Sequence, residues 1–123
     1  IQADGGIIPN AEFFLPANKP RKFSYCSDTI YDESILDEIR DSDLLYHEAT
    51  FLHDLLNRAK ETHHTTALQA GTMATKAKAK KLMIGHYSAR YKDLMPLLNE
   101  ARTTFSNTIL AVEGETVSIE IAT

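Results

Sequence analysis

The chain has 123 residues, of which 43% are hydrophobic and 24% are charged, and its formal net charge is −4. These values are typical of one soluble globular domain with a modest core. No apolar run approaches the roughly 20 residues that a membrane-spanning helix needs. The acidic balance argues against a surface that coats nucleic acid without specificity, and a local lysine cluster at positions 76–81 is interpreted as the solvated end of a helix.

The start of the chain lacks an initiator Met, a basic region and an apolar region, so we do not expect it to be a signal peptide. We expect this sequence to be a fragment of a longer protein. The single Cys26 rules out an internal disulfide and suits the reducing cytoplasm, which is the location we expect.

Residues 1–22 are predicted to form an irregular N-terminal segment, because Pro9, Pro16 and Pro20 break any long element. A short strand at 13–15 is the only element expected there. Residues 23–123 are predicted to form one further unit.

Within that unit, the hydrophobic pattern alternates between strands and helices. Strands are predicted at 23–26, 44–47, 82–84, 108–112 and 116–121, with a hairpin turn at 113–115. Helices are predicted at 32–40 with Asp32 as cap, at 51–60, from Thr65 or Thr66 to about 78, and from 93 to about 103. This order predicts an α/β fold with helices packed on a sheet.

Ionisable residues follow the strands, where open α/β sheets bind their ligands. They are Asp28, His47, Glu48, His86 and Arg90, and His64 opens a helix whose N-terminal N–H groups favour an anion. Each has a structural alternative: a turn cap for Asp28, a helix-start carboxylate for Glu48, packed side chains for His47 and His86, and exposed positions for His63, His64 and Arg90. His53 is interpreted as facing solvent.

Carboxylate and imidazole are ligands that Zn²⁺ uses in proteins, at about 2.0–2.2 Å. A carboxylate can also bridge two metals about 3.5–4 Å apart. Asp28 and His86 would not complete even one site, and the sequence has no HxH, HExxH or CxxC pattern to supply further ligands.

Four segments resemble, in order, the motifs of the ribonuclease Z family of the metallo-β-lactamase superfamily. They are Ser27-Asp28-Thr29 (a GDT-like element), His47-Glu48-Ala49-Thr50 (HEAT), His64-Thr65-Thr66 (HST) and His86-Tyr87-Ser88-Ala89-Arg90-Tyr91 (HISPRY-like). The departures Ser27, Thr65 and Ala89 keep the reactive groups. The HxHxDH motif of the family is absent, so the resemblance implies the C-terminal half of an αββα sandwich, a mixed sheet with helices packed on it.

The resemblance also implies roles for individual residues. Asp28 would bridge two Zn²⁺ ions and His86 would complete the second ion's ligands. His64 would donate a proton to the departing 3′ oxygen, Glu48 would fix the His64 tautomer and favour the imidazolium, and Arg90 would hold the scissile phosphate. His47 is expected to be structural and His63 to have no role.

The function implied is that of a zinc-dependent endoribonuclease that removes 3′ trailers from precursor tRNA by hydroxide attack on a phosphodiester. The expected partners are precursor tRNA, a second copy in a homodimer and the missing N-terminal half. The fragment alone is expected to be inactive and to expose an apolar sheet face. The alternatives are another metallo-β-lactamase-fold phosphodiesterase or hydrolase, and a non-catalytic α/β interaction module.

Overall fold

The computed structural model describes residues 7–14, 20–27 and 29–111, with side chains for 21–27 and 29–111. Five strands form one sheet in the sequential order β1 to β5. The strands are β1 (Ile7–Phe14), β2 (Pro20–Cys26), β3 (Leu44–Glu48), β4 (Leu82–Gly85) and β5 (Thr108–Leu110). β1 pairs with β2 antiparallel, and β2 to β5 pair in parallel, so the predicted mixed sheet of an α/β fold is confirmed.

The N-terminal segment contains more strand than the sequence predicted. β1 spans eight residues and β2 begins at Pro20, inside the segment that was expected to be irregular. The prediction underestimated these strands because it treated Pro9 and Pro20 as breakers. A proline is tolerated in an edge strand or at the first residue of a strand, and these are the positions of Pro9 and Pro20. The strand predicted at 116–121 and the turn at 113–115 lie outside the described residues.

Four α-helices lie in the described part of the chain: α1 (Leu36–Ile39), α2 (Leu56–Glu61), α3 (Ala67–Ala77) and α4 (Met95–Thr104). The first two follow 3₁₀ turns at Glu33–Ile35 and His53–Leu55. Asp32 caps the first turn by accepting a hydrogen bond from the Ser34 N–H, as predicted. None of the helices among the described residues is long and apolar enough to cross a lipid bilayer.

Two helices begin later than predicted, for local reasons. The segment predicted to be helical from 51 starts with Phe51 in an extended bridge to Thr66, so its helical turns begin at His53. α4 begins at Met95 because Pro96 occupies its first turn, where a missing N–H costs nothing.

Thr66 caps α3 as one of the two predicted candidates, and its hydroxyl and the Gln69 side chain form a capping box.

The core lies between one face of the sheet and the helices. Leu45, Leu82 and Ile84 project from that face and are fully buried. They pack with apolar residues of α1, α3 and α4, such as Ile39, Met73 and Leu97. This packing fixes the parallel strands, and with them the loops that follow their carboxyl ends.

The opposite face carries a row of partly exposed residues in register across four strands: Tyr25, Tyr46, Met83 and Ile109. The Tyr25 and Tyr46 rings are stacked with centroids 4.6 Å apart. None of these four residues belongs to the buried core cluster found among the described residues. The sequence predicted that the fragment exposes an apolar sheet face, and this row of residues is of that type. The oligomeric state stays a prediction.

Candidate active site

Residues of all four motif segments meet at one edge of the sheet, and the first segment is represented there by Thr29. β3 and β4 are parallel and in register, with Glu48 beside Gly85, so the loops that follow them start side by side. Backbone hydrogen bonds then join the loops: Ala49 N–H to Gly85 O at 2.8 Å, Thr50 N–H to Thr65 O at 2.9 Å, and Ser88 N–H to Thr50 O at 3.0 Å. The edge therefore gathers the predicted residues Glu48, His64 and His86.

Glu48 is the most fully enclosed of the predicted site residues that the structure describes. Its side chain is wholly buried, yet its carboxylate lies within hydrogen-bonding distance of four donors. These are Thr29 N–H (2.6 Å to Oε1) and, around Oε2, Thr50 Oγ1 (2.8 Å), His64 Nδ1 (2.9 Å) and Thr65 N–H (3.0 Å). A buried carboxylate is costly without partners, so this donor set is what allows it to stay there.

His64 lies between Glu48 and solvent. Its side chain is 24% exposed, and Nδ1 is the atom that contacts the carboxylate. Since a carboxylate accepts hydrogen bonds, we assign the Nδ1–H tautomer from this contact. The His64 backbone is anchored by donation to the Ala59 carbonyl at 2.8 Å, after His63 has turned the chain with φ 59°. His63 itself is exposed.

His86 follows the last residue of β4 and is exposed. Its backbone has φ 60°, the left-handed conformation, and its ring centroid lies 5.4 Å from that of His64. The preceding Gly85 is required by packing, because a Cβ at that position would lie 2.2 Å from Tyr46 Oη. The strand therefore ends at a glycine for steric reasons, and the chain turns to present the imidazole beside His64.

Arg90 is exposed on the same loop, and its guanidinium carbon lies 5.6 Å from the centroid of the Phe51 ring. The Phe51 ring in turn meets the His64 ring at a steep angle, with centroids 6.2 Å apart. Tyr91 fixes the loop by accepting a hydrogen bond from Leu52 N–H at 2.8 Å. A cation over an aromatic face is attracted by the ring quadrupole, so Phe51 links Arg90 to the histidines.

The two remaining histidines have different surroundings. His47 is fully buried, its Nδ1 lies 2.9 Å from the Glu48 carbonyl oxygen, and burial lowers the pKa of its imidazole. This matches the interpretation of a packed histidine. The solvent-facing interpretation of His53 is wrong: the residue is half-buried, with Nδ1 2.9 Å from Thr66 Oγ1, because its 3₁₀ turn packs on the start of α3.

The structure places one of the two predicted metal ligands, His86, beside His64. Asp28 lies outside the described residues. Within the described ranges, no group of three or more His, Cys, Asp and Glu side chains is arranged to hold a metal ion. His86 offers one exposed imidazole, which suits a ligand but does not form a site. The described donors alone therefore do not fit a complete zinc centre.

Several residues of the site were not singled out by their sequence pattern. Thr29, Thr50 and Thr65 surround the Glu48 carboxylate, while Phe51 packs against His64 and Tyr91 anchors the loop. The signal for Thr29, Thr50 and Thr65 was their place within the motif segments. Phe51 was assigned to a helix, and nothing local distinguishes it.

The lysine cluster is indeed a solvated helix end. Lys76, Lys78 and Lys80 are exposed, and two of them form ion pairs: Lys76 with Glu33 at 2.6 Å and Lys80 with Asp43 at 3.2 Å. The cluster precedes β4, whereas His86 follows it, so the lysines and the candidate site lie at opposite ends of that strand.

The chain is similar in sequence to bacterial ribonuclease Z. It is 54% identical over 117 residues to the ribonuclease Z of Phocaeicola vulgatus, a match that covers 95% of this chain and 38% of that protein. It is 50% identical over 119 residues to that of Parabacteroides distasonis, with coverage of 97% and 39%. The chain thus spans well under half the length of these relatives. No protein-family model matches it.

Solved structures give the same picture of the fold. The yeast long form of RNase Z matches with a TM-score of 0.70 and 31% identity, over 81% of this chain and 14% of that one. The short form of human tRNase Z matches with a TM-score of 0.65 and 29% identity, over 82% and 34%. The metallo-β-lactamase fold protein YhfI of Bacillus subtilis matches with a TM-score of 0.67 and 24% identity, over 89% and 48%. The chain therefore corresponds, over nearly its whole length, to a portion of ribonuclease Z with the metallo-β-lactamase fold, and the resemblance predicted from its motifs is confirmed.

Proposed function

We propose that this chain is part of a zinc-dependent endoribonuclease that removes 3′ trailers from precursor tRNA. The observation that carries the proposal is the Glu48–His64 pair, 2.9 Å apart, at the sheet edge where His86 also lies. This arrangement is formed by the same segments that resemble the ribonuclease Z motifs. The sequence identity of 50–54% to two bacterial ribonuclease Z proteins, over nearly the whole chain, supports the same activity.

In the proposed reaction, His64 acts in its imidazolium form and transfers its Nε2 proton to the 3′ oxygen that leaves the phosphodiester. The contact with Glu48 keeps Nδ1–H on the carboxylate side, so Nε2 is the nitrogen available for that transfer. Glu48 is held in turn by Thr29, Thr50 and Thr65, which limits its rotation. A ring oriented in this way needs little rearrangement at the moment of reaction.

Arg90 is proposed to bind the scissile phosphate. Its guanidinium is exposed, and its planar donors suit two phosphate oxygens at once. Packing over Phe51 restricts the side chain before the substrate arrives, which reduces the entropy lost on binding.

For the metal, we propose that Asp28 and His86 bind zinc together with ligands outside this chain. Bound zinc would activate water for attack on the phosphodiester near neutral pH. The variants Asp28→Ala and His86→Ala should each lower the zinc content of the complete protein. Unchanged zinc stoichiometry in both variants, measured by elemental analysis, would argue against these ligand roles.

We further propose a homodimer and a cytoplasmic location. The partly exposed row of Tyr25, Tyr46, Met83 and Ile109 supports association of this segment with another part of the protein or with a second copy. The free, buried thiol of Cys26 is compatible with a reducing compartment.

The activity is tested with the complete protein that contains this segment, incubated with a 3′-extended precursor tRNA and, separately, with a small phosphodiester. We expect cleavage of the tRNA at its 3′ side and a far lower rate on the small substrate. Efficient hydrolysis of the small substrate without tRNA cleavage would favour the other phosphodiesterases of this fold. No hydrolysis of either substrate by the zinc-loaded protein would favour a non-catalytic module.

A further inference from the structure

Thr50 lies where the motif segments meet, and its contacts join the HEAT, HST and HISPRY-like segments. Its side-chain oxygen is 2.8 Å from Glu48 Oε2 and 2.9 Å from the His86 carbonyl oxygen. Its backbone N–H donates to the Thr65 carbonyl and its carbonyl accepts from Ser88 N–H, at 2.9 and 3.0 Å. The residue is only 6% exposed, so water does not readily replace these contacts.

The contact with His86 has a specific physical consequence. His86 has φ 60°, a left-handed conformation that is uncommon for a residue with a side chain and that persists only where its surroundings hold it. The Thr50 hydroxyl bonds the carbonyl of this residue, and the Thr50 carbonyl bonds the N–H of Ser88 two positions later. Thr50 therefore holds the turn on both sides and sets the direction in which the imidazole leaves the backbone.

The contact with Glu48 involves the same hydroxyl. A threonine hydroxyl has one hydrogen, which here lies between two acceptors and is shared in a three-centre bond. One atom thus touches both the carboxylate that orients His64 and the backbone that orients His86. A displacement on one side is transmitted to the other through a single side chain.

We propose that Thr50 is a positioning residue whose hydroxyl fixes His86 relative to the Glu48–His64 pair. This inference rests on the proposed function. Removal of the hydroxyl should let the His86 turn relax and should misplace its ring, while leaving the substrate-binding surface around Arg90 in place. The loss is expected in the catalytic step rather than in substrate binding, because precise placement of the groups is what a supporting contact supplies.

The test uses three variants of the complete protein. Thr50→Val and Thr50→Ala each remove the hydroxyl, and each is compared with Thr50→Ser. Valine keeps the shape and loses the hydroxyl, whereas serine keeps the hydroxyl. We expect Thr50→Val to lower kcat for precursor tRNA cleavage about 10–100-fold, with KM within about threefold of wild type, and Thr50→Ser to stay close to wild type. If Thr50→Val does not fold, the alanine and serine pair gives the same comparison.

A second measurement does not depend on activity. Imidazole ¹⁵N signals in the metal-free protein should shift for His86 and His64 in Thr50→Val and stay in place in Thr50→Ser. The inference is overturned if Thr50→Val matches wild type in kcat and in these signals, or if Thr50→Ser is as impaired as Thr50→Val. If wild type does not cleave precursor tRNA, the proposed function fails, and the ring signals still decide the role of Thr50.

Discussion

The carboxylate of Glu48 and the imidazole of His64 lie 2.9 Å apart, with the carboxylate wholly buried and the ring 24% exposed. The pair joins a residue at the end of β3 to one that immediately precedes the N-cap region of α3, 16 positions later in the chain. One partner is thus fixed in the protein interior while the other reaches the surface. This division suits a ring that must be held in one tautomer and still meet a substrate.

The first prediction concerns His64. Replacement by alanine in the complete protein should lower kcat for precursor tRNA cleavage about 10²–10⁴-fold, the usual contribution of a general acid. The zinc content should stay at the wild-type level, since His64 is oriented by Glu48 rather than assigned to a metal. His63→Ala is the matched control, because the neighbouring ring is exposed and has no assigned role. Parallel loss of zinc and turnover in His64→Ala would refute the assignment.

The second prediction concerns Glu48. In Glu48→Gln one carboxylate oxygen becomes an amide nitrogen, which cannot accept hydrogen bonds from the donors that surround it. Three donors crowd Oε2 and a fourth faces Oε1, so at least one buried donor loses its acceptor in either orientation of the amide. We expect a loss of about 1–3 kcal/mol in the free energy of unfolding, together with impaired turnover. Urea unfolding of Glu48→Gln beside wild type measures it, and equal midpoints would contradict it.

The sequence predicted elements well where local signals sufficed. The alternation of 23–26 and the apolar run 82–84 correspond to β2 and β4, and the two candidate capping residues, Thr65 and Thr66, located the start of α3 to within one residue. The sequence did not predict the extent of β1, because its pairing with β2 is a contact between segments that outweighs the local effect of Pro9. Hydrophobic periodicity reports burial of a face, whereas such pairing depends on the rest of the sheet.

The candidate site shows the same limit more sharply. The motif segments identified Glu48, His64 and His86, and the structure brings these residues to one edge. Several of their supporting contacts use backbone groups, such as Thr29 N–H and the His86 carbonyl, which every residue type possesses. No side-chain pattern can therefore reveal them. Asp28, on which the metal assignment depends most, lies outside the described residues.

The third prediction concerns Glu100 on α4, which no motif indicates. Its carboxylate accepts hydrogen bonds from His53 N–H at 2.9 Å and Leu68 N–H at 3.0 Å, so it joins the starts of two helical segments to a third helix. An acidic group at a helix start is also favoured by the helix dipole. Glu100→Ala should lower the free energy of unfolding by about 1–3 kcal/mol in a urea titration. Asn99→Ala, at the exposed neighbouring position, serves as control, and equal effects of the two changes would contradict the role.

The last prediction concerns pH and the buried His47. Burial lowers the pKa of its imidazole below the usual 6.5, so the folded protein holds the ring neutral. The unfolded chain, with an ordinary pKa, binds a proton below about pH 6.5 that the folded protein does not. Above that pH, the free energy of unfolding is therefore not reduced by this ring. Below it, the free energy of unfolding decreases as the pH falls, by at most about 1.4 kcal/mol per pH unit.

His47→Asn is the matched control, because an asparagine amide can donate to the Glu48 carbonyl oxygen in place of Nδ1–H and does not titrate. Urea unfolding of the metal-free protein between pH 7.5 and 5.5 should show a steeper loss of stability for wild type than for His47→Asn. Zinc is removed beforehand so that loss of metal from other histidines at low pH does not contribute to the measured change in stability. Identical pH slopes for the two proteins would show that His47 does not titrate differently in the folded and unfolded states.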